Sequence, residues 1–545
     1  MFEGEALART ASQEHAAAEL TRQRSSSASS RNPPFAAVAP SVSRPAPIAE
    51  TSSNHSTTTL AEPDLEAGAQ EKSEKQEAAA PAPAPEDEFL VTLKGREQLN
   101  PHTWNTTYRW ALTGFAGLLV LNATFASSAP SNLIPSIITH FHVSEEVGIL
   151  LISIFVAGYC VGPLLWGPLS ERYGRRLVFI GSWIPYFCFQ IGAALSPNVG
   201  SIIVFRFLGV IADLWGPDQR GDALAIFALM PFAGPALAPI ISGYMYVTGT
   251  NWRWIFWVLT IFAGVCFVAI LALLPETYVP YILYKEAKRL RKETGDTRWH
   301  AALEGNGAKE TASMVLDRTV FKPFRMIVQE PMLAVITLYM SFVYGIVYLL
   351  FEAIPIIFVQ QHGLNSGEAG LVFLALLFGG VTSVLLYIFY FNPDYKKIHH
   401  SLQGRPVPPE VRLKALAYAA PLMPISMLIV AFTSYSNLSI AGPIIGIWLL
   451  GGCVLFVFLA CFNYIIDCYL MNAASALAIN TVVRSSFGAG FPLFAGQMYR
   501  KLSTPGATGL LAGLALVFVP MPFLLMKYGK KIRAMSKNAI VRPGE

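Results

Sequence analysis

The sequence is poor in charge. Only 14% of its 545 residues are Asp, Glu, Lys or Arg, against about a quarter in soluble domains. With 53% hydrophobic residues and a mean hydropathy of +0.45, that deficit argues against a cytosolic enzyme. Cysteine is scarce as well: Cys160, Cys188, Cys266, Cys453, Cys461 and Cys468 lie in or beside apolar runs. No CxxC or Cys/His pair has metal spacing, so they read as free thiols, not disulfides or metal ligands. A basic block is lacking and the net charge of +5 is small, which leaves nucleic acid out as a partner. No phosphate loop, triad spacing or metal cluster is found, so the chain is not read as an enzyme.

What is present is a series of apolar runs about 20 residues long, the length that crosses roughly 30 Å of hydrocarbon as helix. They fall near 108–128, 146–166, 176–195, 201–215, 222–246, 253–274, 331–359, 369–391, 415–434, 441–465, 474–496 and 506–527. The expected fold is an all-α membrane protein with twelve spans. Lys and Arg concentrate in the loops of one side, while the other side holds Arg253, Arg500 and Lys501. The bias places both termini in the cytoplasm.

Residues 1–103 are rich in Ala, Ser, Pro and Glu and read as a disordered cytoplasmic tail. Met1 to Leu20 has no continuous apolar core and does not look like a secretory signal. The serines around Ser25 to Ser30 suit phosphorylation; an inert solvated tail is the alternative. A six-span half over 104–274 is followed by a cytoplasmic loop, 275–330, whose Tyr284–Thr294 stretch suits a basic helix on the inner membrane surface. A second half, 331–527, and a short tail, 528–545, complete the chain.

A shift of 253 residues superposes Ala223–Ile226 on Ala476–Ile479, with Ala236 on Ala489, Pro239 on Pro492, Gly243 on Gly496 and Met245-Tyr246 on Met498-Tyr499. Spans 5 and 11 are then equivalent helices of two parallel repeats, a carrier architecture. The same shift exposes a short span 4: Ser201 to Trp215 gives only about 22 Å of helix. Roughly a dozen residues are missing between Gly209 and Val210 by this comparison. A tilted or locally re-formed span 4 is expected.

The first hairpin on the basic side reads Gly167-Pro-Leu-Ser-Glu171-Arg172-Tyr-Gly174-Arg175-Arg176. It resembles the G-x-L-a-D-R-x-G-R-[RK] signature of the major facilitator superfamily, with Glu in place of Asp. Gly167 and Gly174 permit a tight loop, and Glu171 can pair with a helix dipole and with Arg172 or Arg175. Such a loop can latch the two halves; simple positive-inside anchoring is the alternative. Span 5 contains Gly234, Pro235, Pro239 and Gly243, and resembles the G-x-x-x-G-P-x-x-G-G motif of drug:proton antiporters. Met230, Ala238 and Pro239 depart from that pattern. Helix bending and close packing both account for it. Leu274–Tyr278, Leu350–Ala353 and Asn480–Arg484 resemble fungal multidrug and polyamine antiporters.

Charges inside spans are costly and mark candidate sites. Arg206 matches the lone arginine of the superfamily's span 4, where the resemblance implies a part in proton coupling. Glu352 in span 7 lies near Tyr344 and Tyr348 by helical spacing and suits a proton or a cationic substrate. Arg484 in span 11 is its expected counter-charge, and a fixed Glu352–Arg484 ion pair is the competing reading. Asp213 and Asp467 suit helix ends. Tyr344, Tyr348 and Asn480, with Trp110, Phe115, Tyr339 and Tyr464, are candidate cavity residues.

The resemblance implies a proton-driven exporter of small lipophilic or cationic compounds, such as drugs, toxins or polyamines. It would need no cofactor beyond the proton gradient and act as a monomer in the plasma membrane, with the vacuolar membrane as second choice. An importer or nutrient-sensing receptor on the same fold, and an inactive isoform caused by the short span 4, remain as alternatives.

Overall fold

A computed structural model describes residues 89–212, 229–307, 314, 317–402 and 407–539. Among them the regular structure is helical, with one isolated bridge between Leu90 and His300. The apolar runs fold this way because a backbone in hydrocarbon must satisfy its own N–H and C=O groups. In the first half the spans are α1 (Thr106–Ser128), α2 (Glu145–Tyr173), α3 (Arg175–Ala194), α4 (Val199–Ala212), α5 (Met230–Val247) and α6 (Arg253–Leu273). In the second half, α7 (Pro331–Ile354) is followed by α8 (Ser366–Leu386), α9 (Lys414–Thr433) and α10 (Ala441–Tyr469). The 46-residue stretch Ala473–Phe518 breaks at Ser503, φ +57° and ψ +169°, into α11 and α12, and Pro520–Met535 extends α12. Nine helical stretches among the described residues are long and apolar enough to cross a bilayer. One of them, Ala473–Met535, contains both α11 and α12, and the shorter α4 and α5 complete the twelve expected spans.

The outer faces are apolar, as lipid requires, and the packed faces carry large apolar and aromatic side chains together with small ones. On α6, Ile261, Val265 and Val268 form an exposed stripe at helical spacing, while Leu259, Ala263 and Cys266 are buried. The two halves meet along α2 against α11 and α5 against α8. At the second contact a Cβ on Gly370 would stand 2.7 Å from the Pro239 carbonyl, so the helix backbones nearly touch.

α4 runs through Gly209 and Val210 as continuous helix, 14 residues or about 21 Å long. Val210 is fully buried, and a Cβ on Gly158 of α2 would stand 2.9 Å from it. Trp166 donates its indole N–H to the Ile211 carbonyl. The short span is therefore a packed helix up to Ala212. Asp213 and the beginning of the expected span 5 lie outside the described residues.

Residues 89–103, expected within a disordered tail, are instead folded onto the central segment. Val91 N–H donates to the His300 carbonyl at 2.9 Å, and His300 N–H donates to Phe89 at 3.0 Å. Val91 is buried with Ala287 and Ala301, and the Arg298 guanidinium covers the Phe89 ring at 4.0 Å. The tail reading failed here because composition averages over a window and misses three apolar residues, Phe89, Leu90 and Val91, with a partner 200 residues away. The expected basic helix is present as Val279–Thr294, beginning five residues before Tyr284.

Candidate transport site between the two halves

Arg206 is 2% exposed and binds three carbonyls: Leu151 through Nε at 2.7 Å, and Ala126 and Ser127 through Nη2 at 3.1 Å each. The cause lies in the sequence of span 1. Pro130 has no N–H to offer the Ala126 carbonyl four residues earlier, so α1 ends there with unpaired acceptors. The guanidinium of α4 supplies the missing donors and stacks on Phe155 at 4.6 Å. Its Nη1 is buried without a partner.

One residue away, the halves are bonded to each other. Tyr348 of α7 donates to Ser127 Oγ at 3.0 Å, and Tyr344 donates to Tyr348 at 3.4 Å. The Arg484 guanidinium lies over three rings, Tyr344 at 4.6 Å, Phe458 at 5.4 Å and Phe462 at 5.6 Å. Phe458 in turn packs on Phe232 of the first half at 5.4 Å. Asn480, one turn before Arg484 and fully buried, donates to Thr337 at 3.2 Å and leaves its Oδ1 unpaired. Arg206, Ser127, Tyr348, Tyr344 and Arg484 thus form one contiguous line, and Asn480 lies beside it against Thr337.

Glu352 is not part of that group. It lies eight residues beyond Tyr344 on α7, about 12 Å along the axis. Its electrostatic neighbours are Glu145 and Arg500, and these two bond each other at 3.0 Å between α2 and α11. The Glu352–Arg484 pair expected from sequence does not form, because both residues sit in apolar helices but at different depths. Trp110, Phe115, Tyr339 and Tyr464 are also elsewhere. Trp110 is exposed, Phe115 packs beside Trp183, Tyr339 stacks on Phe518 at 5.1 Å, and Tyr464 donates to Met332.

The glycines of α5 serve contacts in two directions. A Cβ on Gly234 would collide with Thr124 and the Phe125 backbone of α1. One on Gly243 would collide with the Ser366 carbonyl at the start of α8, across the halves. Pro235 and Pro239 are inside an unbroken helix, and Asn132 donates to the Pro239 carbonyl at 2.7 Å. The Gly243–Ser366 and Glu145–Arg500 contacts close the same end of the molecule, opposite the basic loops.

At the basic end, Gly167, Glu171 and Arg172 lie in the last turns of α2, not in a loop as expected, because the helix runs on to Tyr173. The chain turns only at Gly174, φ +81°, into α3. Glu276, just after α6, accepts the N–H groups of Arg175 at 3.0 Å and Arg176 at 3.2 Å, and those of Thr277 and Tyr278 at 3.0 Å each. One carboxylate thereby caps the positive end of α3. A Cβ on Gly174 would strike Glu276 and Tyr281, so glycine is required for space as well as for φ. Burial raises the Tyr281 phenol, and the Glu276 charge beside it adds to the shift. Arg175 lies 5.8 Å over the Tyr278 ring with Glu171 within electrostatic reach, and the Arg176 guanidinium holds the Leu271 carbonyl at 3.2 Å. Sequence reasoning missed Glu276 as the cap, since its partner is 100 residues away; its sole signal was its place in the Leu274–Tyr278 resemblance. Asp467, expected at a helix end, pairs with Arg412 at 3.2 Å.

Residues 116–492 match the model of the Major Facilitator Superfamily. The chain belongs to that superfamily. It is 37% identical over 464 residues to the efflux pump FUB11 of Gibberella moniliformis, covering 83% of this chain and 77% of that protein. It is also 37% identical over 478 residues to the multidrug transporter TPO1_1 of Candida glabrata, covering 83% and 82%. In fold it is similar to the proton:xylose symporter XylE, at a TM-score of 0.52 and 16% identity, over 76% of this chain and 96% of that one. The human organic anion transporter MFSD10 gives the same score and identity, over 77% and 100%. Membership makes this chain a multi-pass membrane transporter of the major facilitator fold, not an enzyme, and its curated relatives lie in the fungal drug-efflux branch.

Proposed function

We propose that this chain is a proton-coupled exporter of small lipophilic compounds, with both termini and the basic loops in the cytoplasm, working as a monomer in the plasma membrane. The observation that carries the reading is the polar line inside the apolar bundle. It runs from Arg206 through Ser127, Tyr348 and Tyr344 to Arg484, and crosses from one half to the other. Polar groups in such a place are costly to bury, and inside a transporter they mark the transport path. Relatives named as efflux pumps and a multidrug transporter support the outward direction. The Lys/Arg bias supports the orientation.

In this cycle the substrate enters between the halves from the cytoplasm, and the Gly243–Ser366 and Glu145–Arg500 contacts part to release it outside. Glu352, half-buried beneath the outer closure, takes the proton, and Arg206 couples its arrival to the Tyr348–Ser127 contact. The end of α2 from Gly167 and the turn into α3 at Gly174, held by Glu276, set the inner closure. Accumulation of a fluorescent lipophilic drug in pump-deficient cells expressing the chain tests the reading. Lower accumulation, restored by a protonophore, is expected; equal accumulation with and without the chain across a broad drug panel overturns it.

A further inference from the structure

We infer that the central site selects organic anions, and that Arg484 is the residue that binds the anionic group of the transported compound. This rests on the export reading and names its substrate class. The Arg484 guanidinium makes no hydrogen bond or ion pair with any described residue; its neighbours are the faces of Tyr344, Phe458 and Phe462. Its Nε is buried and unpaired. Ring faces hold a cation, each by about 0.5–2 kcal/mol, but they leave every N–H donor unused. Arginine presents those donors in a planar fork that matches a carboxylate in two-point contact.

The surroundings favour the same charge. The second cation of the line, Arg206, is fully buried where Arg484 is half-buried, and it too has one nitrogen unpaired. The acids of the helices packed around Arg484 are elsewhere. Glu352 lies about 12 Å beyond Tyr344 along α7, and Glu145 and Glu146 of α2 stand at the far Arg500 end. Glu171 lies about 16 Å along α2 from Cys160, which faces Val482 and Ser486, and Asp467 of α10 is bound to Arg412. Walls of low dielectric strengthen a positive field that no described acid cancels. The rings that cage the guanidinium also provide apolar faces for a planar ligand. A flat aromatic body carrying one carboxylate satisfies both features; an ammonium on the same body would face two guanidinium charges.

Full-length protein in lipid nanodiscs separates the alternatives, with 2-naphthoate, 2-naphthamide and 2-naphthylmethylammonium as probes of one shape and three charges. Equilibrium dialysis should show naphthoate bound ten- to a hundredfold more tightly than the ammonium probe, the range of one charge-assisted contact. Arg484→Gln should remove that preference while retaining naphthamide binding, and Arg484→Lys should keep part of it. Equal or tighter binding of the ammonium probe by the unmodified protein overturns the inference, as does undiminished naphthoate preference in a folded Arg484→Gln protein. The comparison within the unmodified protein decides even if a variant fails to fold. A binding preference with no cellular efflux would count against the export reading alone, while efflux of neutral or cationic drugs without anion preference would overturn only the present inference.

Discussion

Tyr348 on α7 donates its hydroxyl proton to Ser127 Oγ on α1 at 3.0 Å, and that bond ties the two six-helix halves together within one residue of the carbonyls held by Arg206. A bond across the joint must break whenever the halves separate there. Its strength therefore enters the balance between the closed and opened forms.

Tyr348→Phe removes the bond to Ser127 and the longer one accepted from Tyr344. Only the first crosses between the halves, at about 0.5–1.5 kcal/mol, and Ser127 keeps its bond to the Thr124 carbonyl. The closed form should lose up to about tenfold in population. Distance measurements between labels on α1 and α7 should show the shift with little change in thermal stability. An unchanged distribution would mean that the bond does not set the balance.

Arg206→Gln strands the Leu151, Ala126 and Ser127 carbonyls, each at a cost of about 1–3 kcal/mol. A melting temperature lowered by several degrees is expected, and Arg206→Lys should restore only part, because an ammonium lacks the planar fork. A full-stability Arg206→Gln protein would show that these bonds carry no net weight.

Glu276→Gln keeps an acceptor at the head of α3 but removes its charge. The loss should be about 0.5–2 kcal/mol, concentrated in the first hairpin. Hydrogen exchange over residues 167–178 should accelerate while the helix interiors remain protected. Equal exchange in both proteins would rule out the cap as the constraint on this loop.

The reach of the sequence follows the range of the interactions. Span positions were legible because crossing a bilayer is a local requirement on length and apolarity, and α1 to α3 and α6 to α12 lie where the runs predict. Arg206 was legible as a buried charge for the same reason. The role it plays was not: the orphaned Ala126 carbonyl follows from Pro130, but that α4 reaches it is a matter of packing. Glu352 and Arg484 were paired by sign alone, and helical rise separates them. Glu276 and the Phe89–Val91 segment escaped because each depends on a partner 100 residues or more away.

Gly243 offers a test of closure at the end opposite the basic loops. A methyl there would meet the Ser366 carbonyl, and backbone cannot move aside as a flexible side chain can. Gly243→Ala should lower transport severalfold at normal expression. Gly490→Ala, where a Cβ would meet nothing within 4 Å, should be neutral. Full activity in Gly243→Ala would place the closure elsewhere.

Proton-linked exchange is tested most directly in proteoliposomes that report internal pH while a gradient of transported drug is imposed. The unmodified protein should move protons against the direction of drug flow, and Glu352→Gln should reduce that proton movement at least about tenfold, the factor set by about 1.4 kcal/mol of coupling. Proton movement in the same direction as the drug, or exchange undiminished in Glu352→Gln, would contradict the proposed mechanism.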